Sequence, residues 1–265
     1  MKVDISPSLK EAYDEQYTDD MTEWRELGGK YKAENIVQVC KGYNFSKVLE
    51  CGAGEGGILK FLDARGLFDE LYAIEISQSG ISQIKKRNLP SLKEVEIFNG
   101  YEIPFPDSFF DMAYSSHVME HVEYPRLLLR ELKRVSHFQV FEIPLDYSIN
   151  VDRKVEALLS YGHINVYTPS LFRYLLNTEG YEILAERLTK TAAEVVKFGW
   201  YQRQGVTKSV SSEMKLALRP LRNSLRRLLS GKRIYDEYAY DRYTCLTKGT
   251  GSASLTNVKT LNPKQ

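Results

Sequence analysis

The sequence shows no excess of charge of either sign. Over 265 residues, 36 Lys and Arg stand against 35 Asp and Glu, for a net charge of +1. Such balance gives no global field to gather polyanions, so no DNA partner is expected. Cysteine is scarce: Cys40, Cys51 and Cys245 lie far apart, with no C-x-x-C pair. That spacing suggests neither a disulfide framework nor a zinc site, and no metal is expected. It suits reduced thiols in the cytoplasm. No apolar run approaches the roughly 20 residues that cross a bilayer. Met1 to Lys10 has no signal-peptide character. Histidine is also rare, at four residues.

The most informative stretch is Val48-Leu49-Glu50-Cys51-Gly52-Ala53-Gly54-Glu55-Gly56-Gly57. It reads as a strand (Phe45 to Leu49), a glycine-rich turn and a helix (Ile58 to Leu62). In an open α/β sheet such a turn lies at the carboxyl ends of the strands, where nucleotide-like ligands bind. The glycines fit G-x-G-x-x-G (Gly52, Gly54, Gly57) and equally G-x-G-x-G (Gly52, Gly54, Gly56). Spacing alone therefore indicates an adenosine-bearing cofactor without choosing which one.

Further strands are expected at 71–76, 95–98, 110–115, 138–143, 181–188 and 243–247. Helical stretches separate them, which implies βαβ units and a mainly parallel sheet. Three segments are expected: a helical lid over 1–44, a cofactor-binding domain over 45–248 and a disordered tail over 249–265. A basic helical insertion should interrupt the domain at about 191–239.

Charge narrows the cofactor. A pyrophosphate prefers backbone amides at a helix N-terminus without carboxylates nearby. Here Glu50 closes the strand and Glu55 sits in the turn, a setting suited to a ligand bearing an ammonium and a sulfonium. Glu75, ending the second strand, can accept hydrogen bonds from ribose in either case.

Four ordered motifs add a family resemblance: the glycine turn; Ala73-Ile74-Glu75-Ile76-Ser77; residues 99–111 (Asn99-Gly100-Tyr101-Glu102-Ile103-Pro104-Phe105-Pro106 onward to Asp111); and Ser115-Ser116-His117-Val118-Met119-Glu120-His121-Val122. Together, over about residues 45–185, they resemble the class I S-adenosylmethionine-dependent methyltransferases that act on small molecules. The resemblance implies a Rossmann-like α/β fold, a seven-stranded sheet with helices on both faces and an antiparallel last strand. The implied cofactor is S-adenosylmethionine. Gly52, Ala53, Gly54 and Gly56 would line its methionine portion, with Glu50 near the amino group. Glu75 and Ile76 would meet the ribose, Asn99 and Gly100 the adenine, and Ser115, Ser116 and His117 the sulfonium side. The chain departs from the family in having Ser136-His137 before the fifth strand, where a K-P-G-G turn is usual, and in its insertion.

The expected reaction moves a methyl group to an oxygen or nitrogen of a small molecule, with a sugar or glycan precursor as one candidate. Histidine is the usual base near neutral pH. His163, in the loop after the fifth strand, and His117, at the end of the fourth, are the candidates. An NAD-dependent oxidoreductase and a non-catalytic binding module remain as alternatives.

In the insertion, Met214, Leu218, Leu221, Leu225 and Leu228 form an apolar stripe beside Lys215, Arg219, Arg222, Arg226, Arg227, Lys232 and Arg233. Pro220 should kink this helix or begin its second half. Three readings follow for the basic helix at 214–233: a stripe docked on the domain, a surface recruiting an anionic acceptor or RNA, or a membrane-surface helix.

Overall fold

The structure is a computed structural model, described for residues 4, 5, 11, 22–147 and 151–250. Tyr13 and Tyr17 of the expected lid segment, and the tail beyond 250, lie outside these residues.

Alternation along the strands sorts side chains to two faces. Leu49, Tyr72, Ile74 and Ala113 belong to one core, and Val48, Leu71, Ala73, Met112 and Tyr114 to the other. These residues come from β1 (Lys47–Cys51), β2 (Glu70–Glu75) and β4 (Phe110–Ser116). With β3 (Leu92–Ile97), β5 (Ser136–Pro144), β6 (Tyr181–Thr189) and β7 (Arg242–Gly249) they form one sheet. Its order is β3-β2-β1-β4-β5-β7-β6. The pairs from β3 to β5 are parallel, while β7 runs antiparallel to both of its neighbours.

One face is covered by α1 (Thr22–Val39), α2 (Gly57–Asp63) and α3 (Gln78–Lys86), through Ile36, Leu59, Leu62 and Ile84. The other carries α4 (Pro125–Val135) and α6 (Pro169–Thr178); the short α5 (Val155–Ser160) precedes α6. In α4 the spacing of Leu128, Leu132 and Val135 gives a helical stripe, and all three are buried. The helix passes straight into β5. Ser136 takes an extended conformation and its hydroxyl donates to the Leu132 carbonyl at 2.6 Å, so no glycine turn is needed. His137 therefore stands exposed on β5.

Between β6 and β7 lie α7 (Ala193–Phe198), a π-helical turn (Gly199–Arg203), α8 (Val210–Ala217), α9 (Arg219–Ser230) and α10 (Lys232–Tyr238). Pro220 sits in the first turn of α9, where its missing N–H costs nothing, so it begins a new helix. The base of the insertion is tied at Asp241. Its carboxylate accepts from Thr191 N at 2.7 Å and from Arg219 at 3.3 Å, and Arg219 also donates to the Thr191 carbonyl at 2.7 Å. The leucine stripe of α9 does not dock on the domain. No residue of that helix is buried, and Leu228 and Leu229 are 79% and 85% exposed.

Phe172 joins α6 to the sheet, its ring centroid 5.9 Å from Phe141, 5.2 Å from Tyr167 and 6.3 Å from Tyr243. Phe172→Ala should lower the unfolding free energy by about 3–5 kcal/mol. Leu228→Ser on α9 should change it by less than about 0.5 kcal/mol. Urea titration of both variants checks the contrast.

Candidate active site

At the carboxyl ends of the parallel strands, a cavity of about 1020 Å³ opens between the loops and α1. Its shape begins with the glycine turn. Gly52 has φ +74°, and a Cβ there would stand 2.4 Å from Val118 Cγ2. Both its conformation and its contact exclude a side chain. Across the turn, Gly80 of α3 packs so closely that a Cβ would meet the Gly54 carbonyl oxygen at 2.6 Å.

Glu75 fastens this corner. One carboxylate oxygen accepts from Gly54 N at 2.7 Å and the other from Ser77 N at 3.1 Å. Ser77 caps α3 by accepting from Gly80 N. Glu75 also lines the cavity, where a carboxylate is the acceptor type that suits a hydroxylated ligand.

Glu50 lies on the same wall, fully desolvated, with the Tyr114 hydroxyl donating to it at 2.7 Å. Burial pushes its pKa up to about 8, and the hydrogen bond from Tyr114 and the charge of Lys32 only partly oppose that. A cation entering the cavity would draw it back to the carboxylate. Glu55 behaves differently. It is ion-paired with Arg25 at 2.8 Å and Arg87 at 3.6 Å, so it presents no free negative charge to a ligand. The anionic character of the turn therefore rests on Glu50 and Glu75, not on Glu50 and Glu55 as the sequence suggests.

The remaining expected cofactor residues divide. Ala53, Gly54, Ile76, Gly100 and Ser116 line the cavity together with Glu50, Gly52 and Glu75. Gly56, Asn99 and Ser115 are absent from its wall. Gly56 is the N-cap of α2. Asn99 turns its side-chain oxygen onto the amides of Tyr101 and Glu102, at 3.0 and 2.7 Å. Ser115 is buried in β4.

Three of the four histidines, His117, His121 and His163, line the cavity. His117 has φ +57° and lies between two acids, its Nδ1 3.4 Å from Glu120 and its Nε2 3.6 Å from Glu142. Burial, with the charge of Lys32, pushes its pKa down to about 3. It is thus a neutral ring and a very weak base. His163 contrasts with it. Its Nδ1 donates to Asp146 Oδ2 at 2.6 Å, which leaves Nε2 as the acceptor. Burial works to lower its pKa, but the Asp146 hydrogen bond and the charges of Glu120 and Asp146 outweigh that and raise it.

His121 stands edge-on to His163 with centroids 4.8 Å apart, and its Nδ1 is 2.9 Å from the Gly162 carbonyl. Beside these rings lies Glu120, fully buried, its Oε1 3.8 Å from His121 Nε2 and neither carboxylate oxygen hydrogen-bonded. Burial pushes its pKa up to about 7. One donor atom each from Glu120, His121 and His163 lies within 4.8 Å of the others. These are donor types of a divalent-cation site. However, the charge of Lys32 acts on all three and opposes a second cation there.

Sequence reading missed Glu120, Asp146 and Lys32 as cavity groups. Asp146 was accessible to the argument that found Glu75, because it follows β5 as Glu75 ends β2. Lys32 and Trp24 reach the cavity from α1, and Arg203 from the insertion lies over the Trp24 ring at 4.4 Å.

The donor set fits S-adenosylmethionine: a glycine cradle, a desolvated carboxyl for an ammonium and a strand-end carboxylate for ribose. A methyltransferase-domain family model matches residues 49–137. The Bacillus subtilis protein YrhH, provisionally named a methyltransferase, is 33% identical over 119 residues, covering 42% of this chain and 66% of the relative. A S-adenosylmethionine-dependent methyltransferase from Archaeoglobus fulgidus shares the fold with a TM-score of 0.58 at 17% identity, over 88% of this chain and 99% of that one. Geranyl diphosphate C-methyltransferase from Streptomyces coelicolor, solved with Mg2+ and S-adenosylhomocysteine, superposes with a TM-score of 0.57 at 10% identity. That match covers 83% of this chain and 76% of the other. Sheet order, motif order and the family model over residues 49–137 agree on a methyltransferase domain of the class I S-adenosylmethionine-dependent kind.

Proposed function

We propose that the protein transfers a methyl group to a hydroxyl oxygen of a small, hydroxyl-rich acceptor such as a sugar or glycan precursor. The observation that carries this reading is the Asp146–His163 pair beside the Glu120 carboxyl, neither oxygen of which is hydrogen-bonded, in the wall of the cavity. Bound S-adenosylmethionine supplies an electrophilic methyl group on a sulfonium. In this reading Glu50 meets its ammonium, the glycine turn lies along its methionine portion and Glu75 accepts from its ribose.

The acceptor end must align an oxygen with that methyl group, and alignment alone supplies much of the rate. His163 Nε2 takes the hydroxyl proton as the oxygen attacks, and Asp146 holds the ring's orientation and tautomer. Glu120 and His121 line the same part of the cavity and give it the polar character that suits a hydroxylated acceptor. Tyr161, exposed and 6.0 Å from the His163 ring, adds a flat apolar face of the kind that stacks on sugars. An oxygen acceptor is favoured over nitrogen because a hydroxyl needs a base in attack and a neutral amine does not. His117 is set aside as the base by its depressed pKa. Three free, buried cysteines suit a reducing compartment, and we assign the reaction to the cytoplasm.

Calorimetry should register S-adenosylmethionine and S-adenosylhomocysteine but not NAD, and Glu75→Gln should weaken both about tenfold or more. Binding of NAD alone would sink the reading. His163→Ala should cut kcat on the order of 100-fold with cofactor affinity unchanged. Asp146→Asn removes a group that raises the His163 pKa. The acid limb of the kcat/KM profile should then move to lower pH, whereas His117→Gln should leave it in place. Dialysis against EDTA should leave turnover intact. Loss restored by a divalent cation would give Glu120, His121 and His163 to a metal instead.

A further inference from the structure

Helix α9 is amphipathic, yet nothing within the described chain covers its apolar side. At 100° per residue, Leu221, Leu225, Leu228 and Leu229 fall within a sector of about 100°. Their exposures are 58%, 50%, 79% and 85%. Single exposed leucines are ordinary, but four on one face of one helix form a patch. The segment Arg219–Ser230 contains no acid. Arg219 is used at the root of the insertion, where it holds Thr191 and Asp241. The guanidinium groups of Arg222, Arg226 and Arg227 have no hydrogen bond or ion pair recorded among the described residues.

Three surfaces could cover such a face. RNA would engage the arginines and leave the leucines in water. A second copy of the helix would bury the leucines but set arginine against arginine. A bilayer with anionic headgroups satisfies both: leucines enter the acyl boundary while the flanking arginines stay at the phosphates. The leucines cluster on one side; Arg222 stands at its border, Arg226 further round on the polar side and Arg227 on the opposite face, so the positive charge surrounds the apolar sector. No helix among the described residues is long and apolar enough to cross a membrane, so contact would be at the surface.

We propose that α9 docks the protein on anionic membrane surfaces, with Leu221, Leu225, Leu228 and Leu229 inserted, Arg222 and Arg226 reaching lipid phosphates and Arg227 adding to the positive charge drawn to the anionic surface. The insertion that carries α9 also supplies Val195 and Arg203 to the cavity wall. The proposal stands independently of the chemistry in the cavity.

The test is cosedimentation of the full chain with vesicles of phosphatidylcholine containing phosphatidylglycerol, and with vesicles of phosphatidylcholine alone. The protein should bind the anionic vesicles, and salt should weaken the binding. Replacing Arg222, Arg226 and Arg227 with Gln should reduce partitioning on the order of 100-fold, about fivefold per arginine. Leu225→Ser with Leu228→Ser should release the protein as well. Neither variant should alter the melting temperature or S-adenosylmethionine affinity, because α9 has no buried residue and lines no part of the cavity. Failure of the wild type to bind anionic vesicles overturns the proposal, as does binding that survives both sets of changes. Self-association lost with the leucines while vesicles stay unbound assigns the stripe to a second copy and overturns it too. RNA binding that depends on the arginines, without vesicle binding, does the same.

Discussion

The fold and the site meet at one carboxylate. Glu75 ends β2 and accepts from the backbone of the glycine turn and from the residue that caps α3. Three separate pieces of chain are thereby held at one corner: the end of β1, the end of β2 and the start of α3. Gly80 makes the arrangement possible by letting α3 approach the Gly54 carbonyl. A carboxylate held by two amides is also a rigid one. The hydrogen-bonding capacity it turns toward the cavity is thus fixed in place before any ligand arrives.

Burial sets the rest of the electrostatics. Glu50, Lys32, His117, Glu120 and Glu142 share a region largely closed to water, and each is moved from its ordinary pKa or held there by the others. Among the histidines the outcome is a division of labour. His117 and His121 are pushed toward the neutral form, while Asp146 raises His163. One bond of 2.6 Å separates a ring that can take up a proton near neutrality from rings that cannot.

Much of this was legible in the sequence. Seven strands emerge from apolar runs between helical stretches, and the antiparallel ending follows from the family resemblance. Glu50, Gly52 and Glu75 stand out because motif spacing fixes their place at strand ends. What escaped depended on contacts between distant segments. Arg25 and Arg87 neutralise Glu55 from α1 and from the end of α3, which no local pattern reveals. Asn99 matches an adenine-facing position by motif, but its side chain satisfies the turn it begins. The leucines of α9 repeat at helical spacing, as a docked helix would, because periodicity reports amphipathicity and is silent about what lies opposite.

The position of β7 has a consequence for how such a chain can change. Thr189, the last residue of β6, pairs with Arg242, the first of β7, so everything between them leaves and re-enters the sheet at one doorway. Asp241 bolts that doorway by receiving Thr191, Lys190 and Arg219 from the segment it closes. Of the helical excursion, Val195 and Arg203 belong to the cavity wall, whereas Arg219–Ser230 has no buried residue, so changes in that outer helix leave the strand register on either side untouched. A scaffold with such a doorway can be given a new address while its glycine turn and cavity floor stay as they are.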